Sequence, residues 1–320
     1  MNSTPSRSLL SIEGMTKSDI EEILDLTDTF DEIGRRPIPK VPALRGRTVA
    51  TVFFENSTRT RLSFETAARR LSADTMSFGA GSSSLSKGES IRDTVEVIEA
   101  YGADVLVVRH PAAGIAQRID NWTDALVVNA GDGCHEHPTQ ALLDAYTLRK
   151  HKGSLNGLRI AIVGDIRHSR VARSDVLAFT MLGAEVVLVA PPTLLPPSLE
   201  GWPVTISYDL DEVLPTLDVC YLLRMQNERI SEGLIPSVRE YTADYGLNIK
   251  RAATLPKDAL ICHPGPTNRG IEIEAAVASD PRSVILDQVS NGVSIRMAVL
   301  FLLLGSGRNL GATSELEGGQ

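Results

Sequence analysis

Cysteine, aromatic residues and long apolar runs are all scarce in this chain. Only Cys134, Cys220 and Cys262 occur in 320 residues. An odd number at such wide spacing fits neither a disulfide framework nor a metal site, and reads as reduced thiols in a cytoplasmic protein. The longest purely apolar stretch, Met297 to Leu304, has eight residues, against the roughly 20 that a membrane span needs. It reads as part of a buried helix near the C-terminus. The opening MNSTPSRSLLSIEG has no long apolar segment of the secretory kind. Positive charge is also short: 32 Lys and Arg against 40 Asp and Glu leave a net charge of −8, which argues against a nucleic-acid surface. No G-x-G-x-x-G follows an expected strand, so nicotinamide chemistry is not expected either.

What is present is a long alternation of strand-like and helix-like segments. The stretch RTVATVF is β-branched and aromatic, and after it Phe64, Ala67, Ala68 and Leu71 fall at i, i+3, i+4 and i+7, the apolar stripe of a helix. The pattern then repeats through SIRDTVEVIEAYG, ADVLVVRH, GIAQRIDNW, DALVVNAG and PTQALLDAYTLRK. After HKGSLNG a second series runs through LRIAIVGD, a helix from Arg170 to Leu182, AEVVLVAPP, VTISY, DVCYLLRMQ and ALICHPGP. Short apolar strands alternating with helices imply parallel sheets covered on both faces. Two doubly wound α/β domains are expected, over residues 1–150 and 151–288, with an active site between them. Residues 289–320 would form a C-terminal helix packing back on the first domain, followed by a tail with little to bury.

The segment FFENSTRTRLSF poses a charge conflict. Ser57 and Thr58 suit a helix N-cap, yet Arg59 and Arg61 fall in the first turn, where the helix dipole favours negative charge. A bound anion resolves the conflict, because free amides, hydroxyls and guanidiniums at a helix N-terminus make a phosphate site. Arg109 follows the strand DVLVV, and His137-Pro-Thr-Gln140 opens another helix with proline in its first turn. Arg170 and Arg224 stand at strand ends of the second series. The serine-rich SSSLSKGES carries Lys87 just before a helix. In open α/β sheets the ligand crevice lies beyond these strand ends. Cys134-His-Glu-His137 lacks the spacing of standard metal sites, so no metal is assigned to it.

Taken in order, STRTR, KGES, RHP, HPTQ, VGD with SR, LLRMQ, HPGP and Asn291-Gly292 with Arg296 resemble the carbamoyltransferase family, and within it the branch that uses aspartate. The resemblance runs through nearly the whole chain. It implies transfer of the carbamoyl group of carbamoyl phosphate to the α-amine of L-aspartate, an early step of pyrimidine biosynthesis, with no cofactor and no metal. By resemblance, Ser57, Thr58, Arg59, Thr60 and Arg109 hold the phosphate, and Thr60, Arg109 and His137 polarise the carbamoyl oxygen. Gln140 and the backbone of Gly265 and Pro266 hold the carbamoyl amide. Lys87, Arg170, Arg224 and Gln226 bind the carboxylates of aspartate. Either Ser83 or Ser84 matches the family's loop serine.

The ornithine-using branch resembles HCLP where this chain has HPGP, and two arginines would repel a cationic substrate. A non-catalytic scaffold is disfavoured because the Arg, His and Lys set is complete. The resemblance further implies a cytoplasmic homotrimer whose active sites are shared between subunits. A regulatory chain or a dihydroorotase is a possible partner; a nucleic acid or a membrane is not expected.

Overall fold

A computed structural model of the chain describes residues 8–79, 89–225 and 233–305. The expected serine contact at Ser83 or Ser84, Lys87, Gln226 and the C-terminal tail from residue 306 lie outside the described residues. Two compact units are present. One comprises the described residues of Met1–Tyr146 and Asn291–Gln320, the other those of Thr147–Ser290.

The first unit opens with α1 (Lys17–Gly34), started by a capping box in which Thr16 and Asp19 satisfy each other's backbone N–H. Strand β1 (Thr48–Phe53) follows, then α2 (Thr58–Arg70), β2 (Asp74–Gly79), α3 (Ile91–Ala100), β3 (Val105–His110), α4 (Ile115–Asp120) and β4 (Leu126–Asp132). Among the described residues these strands form a parallel sheet in the order β2-β1-β3-β4. Strand β2 is not marked in the sequence. Its DTMSFG is polar, half exposed and at the sheet edge, and so lacks the apolar run that betrays the inner strands. Phe64, Ala67, Ala68 and Leu71 are fully buried, so α2 lies on the sheet by the stripe its spacing defines. Truncating a residue such as Phe64 to alanine costs about 3–5 kcal/mol.

Helix α5 (Pro138–Lys152) leads out of the first unit, and the second continues with β5 (Arg159–Val163), α6 (Arg170–Met181), β6 (Glu185–Val189), β7 (Val204–Ser207), α7 (Leu210–Val213), β8 (Val219–Leu222), α8 (Val238–Tyr245), α9 (Ile249–Ala252) and β9 (Leu260–Cys262). Its strands are parallel in the order β7-β6-β5-β8-β9. Helix α10 (Ile285–Leu304) closes the described chain. It is long and apolar enough to pass for a membrane span by length and composition. Met297, Ala298, Val299 and Leu300 are all fully buried, as in a helix enclosed by protein.

The two sheets share a device at their N-terminal edges. Asp104, just before β3, accepts the N–H of Thr48 at the start of β1 at 2.8 Å, and Asp218, just before β8, accepts that of Arg159 at the start of β5 at 2.8 Å. Each carboxylate fixes the register of the two strands between which the connection order reverses. Those reversals, β1/β3 and β5/β8, are where an open α/β sheet forms its ligand crevice at the opposite, C-terminal edge.

Candidate active site

At the β1/β3 switch point, Phe53 pairs in register with Arg109, and Phe54 N–H donates to the Arg109 carbonyl at 2.8 Å. The chain then enters α2 through Ser57, whose backbone is extended and whose side chain makes no capping bond. The first turn of α2 holds no acidic residue, so its amides face an uncompensated positive end. The two arginines of that turn behave differently. Arg61 lies along the helix 3.9 Å from Glu65. Arg59 is exposed and makes no ion pair among the described residues, which leaves its guanidinium available to a ligand.

Arg109 is held on three sides. Its Nε donates to Glu55 Oε1 at 2.7 Å, and its Nη1 is 3.4 Å from Thr60 Oγ1 and 3.3 Å from the Ala130 carbonyl. Thr60 is buried at the start of α2, so hydroxyl and guanidinium converge at one edge of the sheet.

The β4–α5 connection brings His137 and Gln140 to the same sheet edge. It crosses the segment after β3 closely, since Gly133 N–H donates to the His110 carbonyl at 2.9 Å. A Cβ at Gly133 would stand 2.7 Å from the Ala113 nitrogen, and its φ is +51°, so only glycine fits. Asp132 ties the two loops together by accepting the Gly114 N–H, the Asn129 amide and the Glu136 N–H, with His135 beside it. Burial alone would raise its carboxyl, but hydrogen bonds from His135, Asn129 and Gly114 outweigh that and hold it below the ordinary value. Glu136 in turn accepts the N–H of Ile12 at 2.8 Å. These acidic side chains anchor loops, and among the described residues no group of three or more His, Cys, Asp or Glu is arranged to hold a metal.

His137 is buried, and its carbonyl accepts the Gln140 N–H at 2.9 Å, opening α5 at Pro138. Gln140 is buried too. Its Nε2 lies 3.0 and 3.2 Å from the two oxygens of Asp144, one turn along the helix.

In the second unit, β5 and β8 end side by side, with Val163 in register with Leu222. Beyond β5, Ser169 caps α6 by accepting the Ala172 N–H, and Arg170 is buried in the first turn. Asp165 shapes the intervening loop by accepting the His168 N–H at 3.2 Å. Beyond β8 comes Arg224, half-buried. After β9, the Gly265 N–H donates to His263 Nδ1 at 2.8 Å, while His263 Nε2 meets Glu272 Oε1 at 3.0 Å. Because Nδ1 accepts, Nε2 carries the proton. Glu272 also accepts the Asn268 N–H, so one buried carboxylate braces the whole turn around Gly265 and Pro266.

Residues 7–150 match the family model described as aspartate/ornithine carbamoyltransferase, carbamoyl-P binding domain, and residues 156–303 match the corresponding Asp/Orn binding domain. The chain belongs to the aspartate/ornithine carbamoyltransferase family. It is 57% identical over 297 residues to the aspartate carbamoyltransferase catalytic subunit of Thermobifida fusca, covering 93% of this chain and 95% of that one. It is 56% identical over 301 residues to that of Acidothermus cellulolyticus, covering 94% and 93%. Among solved structures, the aspartate transcarbamoylase of Trypanosoma cruzi in complex with carbamoyl phosphate is similar at a TM-score of 0.86 and 32% identity, covering 93% of this chain and 96% of that one. The same enzyme in complex with N-(phosphonacetyl)-L-aspartic acid gives 0.86 at 30% identity, covering 95% and 98%.

Two side chains at this carbamoyltransferase site escape a reading of the sequence. Glu55 stands 54 positions from the arginine it holds, and nothing local announces it. Asp144 does carry a signal, the i, i+4 spacing from Gln140 on a helix. Arg296, already named in the sequence with Asn291 and Gly292, is a lone charge in the apolar SIRMAVLFLLL.

Proposed function

We propose that the chain transfers the carbamoyl group of carbamoyl phosphate to L-aspartate, giving N-carbamoyl-L-aspartate and phosphate, an early step of pyrimidine biosynthesis. The observation that carries this reading is the convergence of Thr60 and Arg109 at the uncapped N-terminus of α2, with Arg59 exposed beside it. That arrangement suits a phosphate ester with a carbonyl attached. Ser57, Thr58, Arg59, Thr60 and Arg109 hold the phosphate. Gln140 and the backbone of Gly265 and Pro266 hold the carbamoyl amide. Arg170 and Arg224, with Gln226 and Lys87, take the two carboxylates of aspartate.

The neutral α-amine of aspartate attacks the carbamoyl carbon. Negative charge develops on the carbamoyl oxygen, where Thr60, Arg109 and His137 stabilise it. The C–O bond to phosphate then breaks, and the departing phosphate accepts the proton released by the attacking nitrogen. Positioning and charge stabilisation supply the catalysis, with no covalent enzyme intermediate.

On this reading residues 1–150, with the C-terminal helix within 289–320, make the carbamoyl-phosphate domain. Residues 151–288 make the aspartate domain. The assembly is a cytoplasmic homotrimer in which Lys87 reaches the neighbouring subunit's site, open to a regulatory chain or a dihydroorotase as partner.

A product assay with carbamoyl phosphate and either aspartate or ornithine tests the chemistry. Aspartate should be used at least about 100-fold better, because like-charge juxtaposition costs several kcal/mol; faster use of ornithine would overturn the assignment. For the shared site, inactive Lys87→Ala and Arg59→Ala trimers should regain activity when dissociated, mixed and reassembled. Verified mixed trimers no more active than the average of their parents would refute that role for Lys87.

A further inference from the structure

The hydrogen bonds of Gln140 say which end of its amide a ligand meets. Its Nε2 is shared between Asp144 Oδ1 and Oδ2 at 3.2 and 3.0 Å, in a buried pair on one helix face. A carboxylate only accepts hydrogen bonds, so the amide turns its NH2 side to Asp144, and Oε1, on the other side of the amide carbon, is the acceptor Gln140 offers.

A buried cation accompanies this carboxylate. Arg296 on α10 is 3% exposed, its guanidinium lies 5.0 Å from the centre of the Phe64 ring, and its Nη1 donates to the Gly292 carbonyl at 3.0 Å. Gly292 is needed for that seat. A Cβ there would stand 2.6 Å from Arg296 Nη1 and 3.2 Å from Leu143 Cδ2, which places the guanidinium's anchor against the residue preceding Asp144. Burial lowers the Arg296 guanidinium to about 9, with Asp144 opposing the shift and Arg109 adding to it. It therefore stays charged at neutral pH.

We propose that Asp144 is a positioning and specificity-determining residue. By fixing the Gln140 amide with its oxygen toward the ligand, it selects a carbamoyl group, whose NH2 donates to that oxygen, over an acetyl group, whose methyl cannot. The proposal rests on the reading that Gln140 holds the carbamoyl amide. An acetyl group would leave Gln140 Oε1 facing a methyl, a buried acceptor without a donor, which is the arrangement by which sites reject near-isosteres. Replacing Asp144 by asparagine removes the direction of the lock, because an asparagine can offer either its oxygen or its NH2 to Gln140.

The test is calorimetric binding of carbamoyl phosphate, acetyl phosphate and inorganic phosphate, without aspartate, to the wild-type protein and its variants. Wild type should prefer carbamoyl phosphate. Asp144→Asn should weaken carbamoyl phosphate roughly 10-fold or more while leaving the other two within about two-fold. Gln140→Ala should abolish the same preference, and Gln140→Ala with Asp144→Asn should lower it no further. If loss of one charge prevents folding, Asp144→Asn with Arg296→Met removes both, which buried pairs tolerate better, and should show the same collapse of selectivity. Equal weakening of all three ligands, an unchanged preference, or additive losses in the double variant would overturn the proposal. Wild type that binds carbamoyl phosphate no better than inorganic phosphate would instead overturn the reading of the site, and the proposal with it.

Discussion

Arg109 and Glu55 form an ion pair of 2.7 Å at the edge of the first sheet, with side chains only 15% and 19% exposed. The carboxylate engages Nε and so fixes the rotation of the guanidinium, while Nη1 turns toward Thr60 and the Ala130 carbonyl. Glu55 touches no reacting atom in the proposed chemistry, yet it sets the direction of the side chain assigned to both phosphate and carbamoyl oxygen.

Glu55→Ala should therefore lower kcat/KM about 100-fold, the scale at which a small misplacement of a catalytic group acts. Glu55→Gln, which keeps an acceptor for Nε, should recover most of the loss. Steady-state kinetics alongside thermal melts decide the matter. Equal activity of the two variants would show that the acceptor at position 55 does not orient Arg109.

The two units should be separable by ligand. Arg224→Ala is expected to raise the KM for aspartate while sparing carbamoyl phosphate binding, whereas Arg59→Ala damages carbamoyl phosphate binding and the rate. Losing one partner of a desolvated charge pair costs roughly 2–5 kcal/mol, or about 30-fold to several thousand-fold. Calorimetry with carbamoyl phosphate reads the difference directly, and equal losses in the two variants would contradict the division.

Asp132 yields a prediction about acid. Its folded carboxyl is held below the 3.8 of the free side chain despite burial, chiefly by the hydrogen bonds from His135, Asn129 and Gly114. A depressed folded value means that the ionised group stabilises the fold above 3.8, and that this contribution fades as pH falls below 3.8 through the folded value. Asp132→Asn should cost about 1–3 kcal/mol at pH 7. Denaturant titrations at several pH values should show the gap from wild type narrowing below about pH 4; a gap that widens there would be the wrong sign.

The thiols should differ in reactivity. Cys134 is exposed, whereas Cys220 and Cys262 are buried, and burial pushes the Cys220 thiol up to about 12. A thiolate-seeking reagent at pH 8 should label Cys134 in the folded protein and the other two only after unfolding. Mass mapping of native-labelled protein that found Cys220 modified would contradict its burial.

The inner strands were legible because each is a short apolar run, from Val105 to Val108 or Ile160 to Val163, that only a doubly covered sheet accounts for. The edge strand Asp74–Gly79 was not, since an edge needs no such run. Helix α1 passed unmarked although Thr16 and Asp19 spell a capping box. At the site, Thr60, Arg109, His137 and Gln140 declare themselves by standing at strand ends and helix starts. Glu55 does not, because its partner stands 54 positions away and only folding brings it near. A sequence shows which groups can meet a ligand more readily than which groups aim them.

The borders between the two units fall inside α5, after Tyr146, and inside α10, after Ser290. The second unit is one continuous stretch of chain, while the first needs the buried Ile295, Met297 and Leu300 from the end of the sequence to complete its core. On the ribosome, where domains usually finish in the order they emerge, the order here is inverted. The unit begun first must wait for the rest of α10 until the one begun second has been fully translated, so a chain ending at Ser290 would carry a complete second unit attached to an unfinished first.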